Sequence, residues 1–229
     1  MTRSLVLDVE TRIDRASLAT SGRSSAPRDM PAPLQVLTAA AMLSFDLDPS
    51  GAFSGFRLDS LEAGERDVAA MAERALADVH AGGGELVTFN GVHDLGVVRF
   101  ALLRSRQLGG GGAARWLADG DGRHRDLMPE ASAGGRWPRL VDVAAGLRFA
   151  PLRLLGGPLD GAGKAELDVA LTMLLHIHLV AERMGDAKVL ARGALTFGRF
   201  LAGAAPKRPH LSAILDSPLY ANASRTLVP

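Results

Sequence analysis

The chain has no cysteine, which excludes disulfides and thiolate metal sites and suits a reducing compartment, so a cytoplasmic setting is expected. It has no apolar run near the roughly 18 residues of a membrane span and no secretory signal at its start, so no membrane partner is expected. Formal net charge is only +1, with a pI of about 8.3, so no global basic field advertises nucleic acid. Any such contact has to come from local arginines, and Arg greatly outnumbers Lys. Internal repeats are missing. So is a phosphate-cradling loop, because no Lys or Ser/Thr follows Gly82-Gly83-Gly84 in the required place.

What is present is an ordinary globular composition, 47% hydrophobic and 22% charged over 229 residues, enough for one well-buried core. The organising stretch comes first. Ser4 to Thr11 is an apolar run ending in Asp8 and Glu10, which in a strand project from the same face. Two carboxylates that close repel unless a shared proton or a cation relieves them, and a hard divalent ion suits oxygen ligands. A polar strand end is the plainer alternative.

Residues 12–33, with Arg12, Arg15, Arg23 and Arg28 among Ser, Ala, Gly and Pro, read as a long basic loop. Leu34–Leu47, the turn Asp48-Pro49-Ser50-Gly51 and Ala52–Leu58 predict a hairpin beside the first strand. Ser60 is the expected cap, with Glu62 in the first turn, of a helix running to His80 and stopped by Gly82–Gly84. Glu85–Phe89 is a short strand, Asn90-Gly91 a turn, and His93–Arg106 a second helix. Gly109–Gly112 is a break, and the segments around His124–Met128 and Gly134–Pro138 are looser. Leu140–Leu147 is a short helix, Gly163–Met184 a long amphipathic one, and Lys188–Leu201 a further helix. The expected organisation is one mixed α/β layered domain over 1–203 with an irregular Pro-rich tail over 204–229.

If the two short parallel strands share a sheet, their C-terminal ends meet on one edge, where open α/β sheets hold ligands. Asp8, Glu10 and Asp94 then gather there, and Asp168 joins from the long helix. Four carboxylates of this kind can hold two divalent cations about 4 Å apart. The segments LVLDVET, LVTFNGVHDLGVVRFALLR, RHRDLMPE and AELDVALTMLLHI, in this order and spacing, resemble the DEDD 3′–5′ exonucleases of the ribonuclease H-like fold. Within that group the similarity is to stand-alone bacterial proteins related to the proofreading domain of family-B DNA polymerases.

The resemblance covers most of residues 4–185. It implies a ribonuclease H-like mixed β-sheet flanked by helices, and a metal-dependent exonuclease acting on a single-stranded 3′ end with two Mg²⁺ or Mn²⁺ ions. Asp8 and Glu10 match the first motif, Asp94 the second and Asp168 the third. Asn90 and Gly91 match an Asn-Gly turn, and Asp126-Leu127-Met128 a strand segment between motifs. Thr11, Arg12, Asn90, Gly91 and His93 are the expected nucleic-acid contacts. The chain departs from the pattern twice. Gly91-Val92-His93-Asp94 is one residue shorter than usual and puts His93 where the family has Phe. Lys164 stands four residues before Asp168, where the tyrosine-type subclass has Tyr, no His lies five before it, and the one Tyr is Tyr220.

Residues i and i+4 share a helix face, so Lys164 is expected in the Asp168 site, as a catalytic residue that holds phosphate, pairs with a carboxylate or, if desolvation lowers its pKa, positions the attacking water. The alternative is a catalytically weak relative that binds nucleic-acid ends or a protein. Among the remaining residues, His176 and His178 are expected to pack, as are Trp116 and Trp137. His93 either orients Asp94 or lies on the surface, and His124 either approaches the site or, the plainer expectation, belongs to a loop.

Overall fold

The computed structural model describes residues 2–21, 31–107, 111–118, 122–132, 138–149, 159 and 161–227. Arg23, Arg28, Trp137 and the break at 109–110 lie outside the described residues. The first strand, β1 (Thr2–Ile13), pairs antiparallel with β2 (Gln35–Leu47), and β2 pairs antiparallel with β3 (Phe53–Glu62). On its other side β1 runs parallel to β4 (Leu86–Thr88), and β4 runs parallel to β5 (His124–Asp126). The result is a five-stranded mixed sheet in the order β3-β2-β1-β4-β5.

Strand parity divides the core into two layers. Leu5, Leu7 and Val9 of β1 pack with buried residues of α2 (Glu65–Ala81) and α3 (Gly91–Arg104). Val6 faces the opposite side with the long helix α7 (Gly161–Met184) and the following helix α8 (Ala187–Ala204). Asp8 and Glu10 share the parity of Val6, so they face the α7 layer. Between the layers in sequence lie α4 (Gly112–Leu117), α5 (Leu127–Glu130) and α6 (Leu140–Gly146). Trp116 on α4 is buried and donates its indole N–H to Leu76 O at 2.9 Å, so it packs, as expected.

The hairpin forms where the sequence places it, but β3 continues to Glu62 because β2 offers partners as far as Ala39. Ser60 is therefore a strand residue and does not cap α2; Gly64 holds that position, and Ser60 bonds Glu166 instead. The basic stretch after Glu10 is not one long loop. β1 extends to Ile13 against Gln35, and Asp14 then accepts bonds from Ala16 N (3.1 Å), Ser17 N (3.3 Å) and Ser17 Oγ (2.6 Å). That cap starts α1 (Arg15–Ser21).

Two further expectations need correction. The strand of the RHRDLM segment stops at Asp126, whose side chain accepts from Met128 N at 3.1 Å and turns the chain into α5. The C-terminal stretch is not irregular. Pro209–Asp216 is a 3₁₀ segment with Leu211 and Ile214 fully buried, and Pro218–Leu227 is a helix, α9, packed on α8. Each begins at a proline, whose fixed φ suits the first helical position. Among the described residues no helix is long and apolar enough to cross a membrane.

Candidate functional site

β1 and β4 are parallel, with Leu5 beside Leu86 and Val6 beside Val87. Their C-terminal ends consequently open on the same edge. Asp8 and Glu10 lie just past this paired stretch of β1, and Asp168 sits on α7, the helix that covers their face of the sheet. One oxygen from each of Asp8, Glu10 and Asp168 lies within 4.8 Å of the other two. Lys164, one helical turn before Asp168, places Nζ 2.5 Å from Glu10 Oε1 and 2.8 Å from Asp168 Oδ2.

Asp94 arrives from the other layer, in the first turn of α3, directly after β4. It is 5% exposed and stands outside the triad, but its charge adds to that of Asp8. The turn that presents it is tightly held. Asp126, at the end of the neighbouring β5, accepts Asn90 N and Gly91 N, both at 2.9 Å. Asn90 takes a positive φ of 75°. A Cβ on Gly91 would overlap Thr88 Oγ1 and His124 Nε2, so only glycine fits there. Asp126 is the site residue that sequence reasoning undervalued. The available signal was its place in the RHRDLM segment that follows the two motifs, on a strand whose end joins the same edge.

The carboxylates are held in an unfavourable electrostatic state. Burial pushes the Asp8 carboxyl well above the usual range, and the charges of Asp168, Asp94 and Glu10 push further, while Lys164 opposes them. Asp94 is likewise raised well above its ordinary value, first by burial and then by Asp126, Glu10 and Asp168. Burial also raises Glu10 and Asp168, in each case against Lys164. Burial alone would lower the Lys164 pKa, but Asp168 and Glu10 raise it above the ordinary value, so desolvation does not make it a neutral water-positioning amine. Asp8 Oδ2 and Asp94 Oδ2 are enclosed and make no hydrogen bond among the described residues. An all-oxygen donor set of mutually repelling carboxylates at Asp8, Glu10 and Asp168 fits a hard divalent cation, which would relieve the repulsion.

No model of a known protein family matches this chain, and no curated protein matches it either.

The remaining residues singled out by sequence are placed less centrally. Alternation along β1 sends Thr11 to the opposite face from Glu10, where it hydrogen-bonds Gln35. Thr38 sits as the extra residue of a bulge opposite Glu10 and Thr11, and its hydroxyl donates to Glu10 O at 3.0 Å. Arg12 is exposed at the strand end and lines a cleft of about 960 Å³ together with Asp14 and Arg15. His93 is half-buried, with burial lowering its pKa, and gives no hydrogen bond to Asp94. His124 is not in a loop: it opens β5, with Nε2 3.0 Å from Thr88 Oγ1.

Proposed function

We propose that this chain is a divalent-metal-dependent 3′–5′ exonuclease-like phosphodiesterase of the DEDD type, acting on nucleic acid. The observation that carries the reading is the convergence of Asp8, Glu10 and Asp168 at one strand edge, with Asp94 presented beside them. A five-stranded mixed sheet with helices on both faces is consistent with a ribonuclease H-like fold.

Asp8, Glu10, Asp94 and Asp168 are the residues to hold Mg²⁺ or Mn²⁺. When bound, such an ion supplies an activated water and neutralises charge on the phosphodiester. The rest of the work belongs to the chain. Lys164 spends two of its three N–H donors on Glu10 and Asp168, and its third can meet a phosphate oxygen. Asp126 fixes the Asn90-Gly91 turn so that Asp94 is delivered with little freedom. Beyond Glu10, the guanidinium groups of Arg12 and Arg15 in the adjoining cleft suit the backbone of a single strand.

The test is degradation of 3′-labelled and 5′-labelled single strands with Mn²⁺, Mg²⁺ or EDTA, beside Asp8→Ala. The expected result is metal-dependent shortening from the 3′ end that Asp8→Ala abolishes. Lys164→Tyr should raise turnover, because a Tyr hydroxyl can accept as well as donate a hydrogen bond and a charged Lys cannot. Lys164 bridging two of the acids also favours a second reading, a catalytically weak relative that binds nucleic-acid ends or a protein partner. Strands left intact under every metal, by the parent and by Lys164→Tyr, would move the assignment there.

A further inference from the structure

The metal-dependent reading leaves open how many ions the site takes, and Lys164 bears directly on that number. Its ammonium lies between a β1 carboxylate and an α7 carboxylate, 2.5 Å from Glu10 Oε1 and 2.8 Å from Asp168 Oδ2. These are charge-assisted bonding distances. They put a resident positive charge in the gap that a bridging cation would otherwise fill. The unsatisfied oxygens lie elsewhere in the site, on Asp8 Oδ2 and Asp94 Oδ2. One part of the cluster is thus neutralised by the chain itself, and the other part is not.

We infer that Lys164 takes the place of one of the two cations of a four-carboxylate centre, so that this chain binds a single divalent ion, drawn by the carboxylate charge that Lys164 leaves uncompensated, with Asp8 foremost. The inference rests on the metal-dependent reading above and refines it from two ions to one ion and one ammonium.

Charge counting supports this. The four carboxylates Asp8, Glu10, Asp94 and Asp168 with Lys164 carry three negative charges, and a single divalent ion brings them to one, while Asp126 is engaged by the Asn90-Gly91 turn. A second divalent ion at Glu10 and Asp168 would sit against the ammonium at contact distance, where like charges repel strongly with little water between them. Position matters as well as charge. Lys164 is four residues before Asp168 on α7, so the helix itself holds the ammonium at the Asp168 carboxylate. Its side chain is 44% exposed, so replacing it leaves no core cavity and the variants should fold.

The experiment is titration of the full chain with Mn²⁺, counting bound ions by electron paramagnetic resonance and by calorimetry, for the parent, Lys164→Met and Lys164→Arg. The expected counts are one for the parent and two for Lys164→Met, the latter with the spin-coupled spectrum of two neighbouring Mn²⁺ ions. Lys164→Arg, which keeps the charge, should stay at one. Two ions in the parent, or one in Lys164→Met, would overturn this inference while leaving the metal-dependent reading intact. No bound Mn²⁺ in the parent at millimolar ion would overturn both. Because the count is read without any substrate, an inactive chain still gives an answer.

Discussion

His176 shows how one residue can be understood without reference to function. It is fully buried on α7, its ring 5.5 Å from that of Phe45 and 5.9 Å from that of Phe53. Neither ring nitrogen has a hydrogen-bond partner among the described residues, and an unpaired buried polar group costs on the order of 1–3 kcal/mol. Burial, helped by the charges of Arg125 and Arg183, holds its pKa down to about 3. The unfolded chain, with an ordinary histidine, takes up a proton below about pH 6.5 that the folded chain refuses until about pH 3. Stability should therefore fall as pH drops through this window, with a limiting slope of about 1.4 kcal/mol per pH unit from this residue. His176→Leu should stabilise the chain by about 1–3 kcal/mol at pH 7 and by more at pH 5. Urea unfolding at both values measures this, and equal stability of the two proteins at pH 5 would show that His176 finds a partner in solution.

At the scale of the element, α7 ties two regions together with residues only two apart in sequence. Lys164 and Asp168 look toward β1, while Glu166 engages β3 and the C-terminal segment. Glu166 accepts bonds from Ser60 and from Arg208 at 2.7 Å, with His210 Nε2 at 3.0 Å. Burial alone would raise its pKa, but the neighbouring His210 ring and the bonds from Arg208 and Ser60 bring it down to about 2. This contribution is fully present above the ordinary glutamate value near 4.5 and is lost as pH falls toward 2. Removing one partner of a buried pair leaves the other uncompensated. Arg208→Ala is thus expected to cost up to about 3 kcal/mol at pH 7, with the loss shrinking below pH 4. Hydrogen exchange should quicken in Pro209–Asp216 before it does in the sheet. Uniform quickening across the molecule would mean that the segment is not a separate latch.

For the whole molecule, the acidic cluster sets stability against ligand binding. The raised carboxyls of Asp8, Asp94 and Asp168 mean that the folded chain without metal holds protons the unfolded chain releases. Stability from these groups is present below the ordinary aspartate value near 3.8 and lost as pH rises through the higher folded values. The metal-free protein carries more of this penalty as pH rises. Mg²⁺ or Mn²⁺ at 100 times its dissociation constant should then stabilise by about 2.7 kcal/mol. For a chain of this size that is a Tm rise of about 5–11 °C. The rise should be smaller at pH 5, because protonated carboxylates are poor ligands. Asp94→Asn should raise the Tm of the metal-free protein and blunt the response to metal. Scanning calorimetry with EDTA or Mn²⁺ separates the two effects, and an Asp94→Asn protein with a lower metal-free Tm would contradict the strain assigned to this cluster.

The amino-acid sequence by itself determined the elements whose signals are local. The apolar run ending in Asp8 and Glu10, the Asp48–Gly51 turn, the Asn90-Gly91 turn and the long stripe on α7 all appear where their periodicity and turn residues put them. It also carried the pairing of Lys164 with Asp168, because helix spacing alone makes them neighbours. What only the tertiary structure decided depends on partners distant in the chain. Whether Ser60 caps a helix or extends a strand was settled by the length of β2, and whether Arg12 begins a loop was settled by Val36 across the sheet. Asp126 became a clamp on the Asn90-Gly91 turn through parallel pairing that no single segment encodes. Glu10 acquired an ammonium from 154 positions away. Local propensity acts over a few residues, whereas register, burial and charge compensation act across the sheet, so the carboxylates could be listed from the sequence but their neutralisation could not.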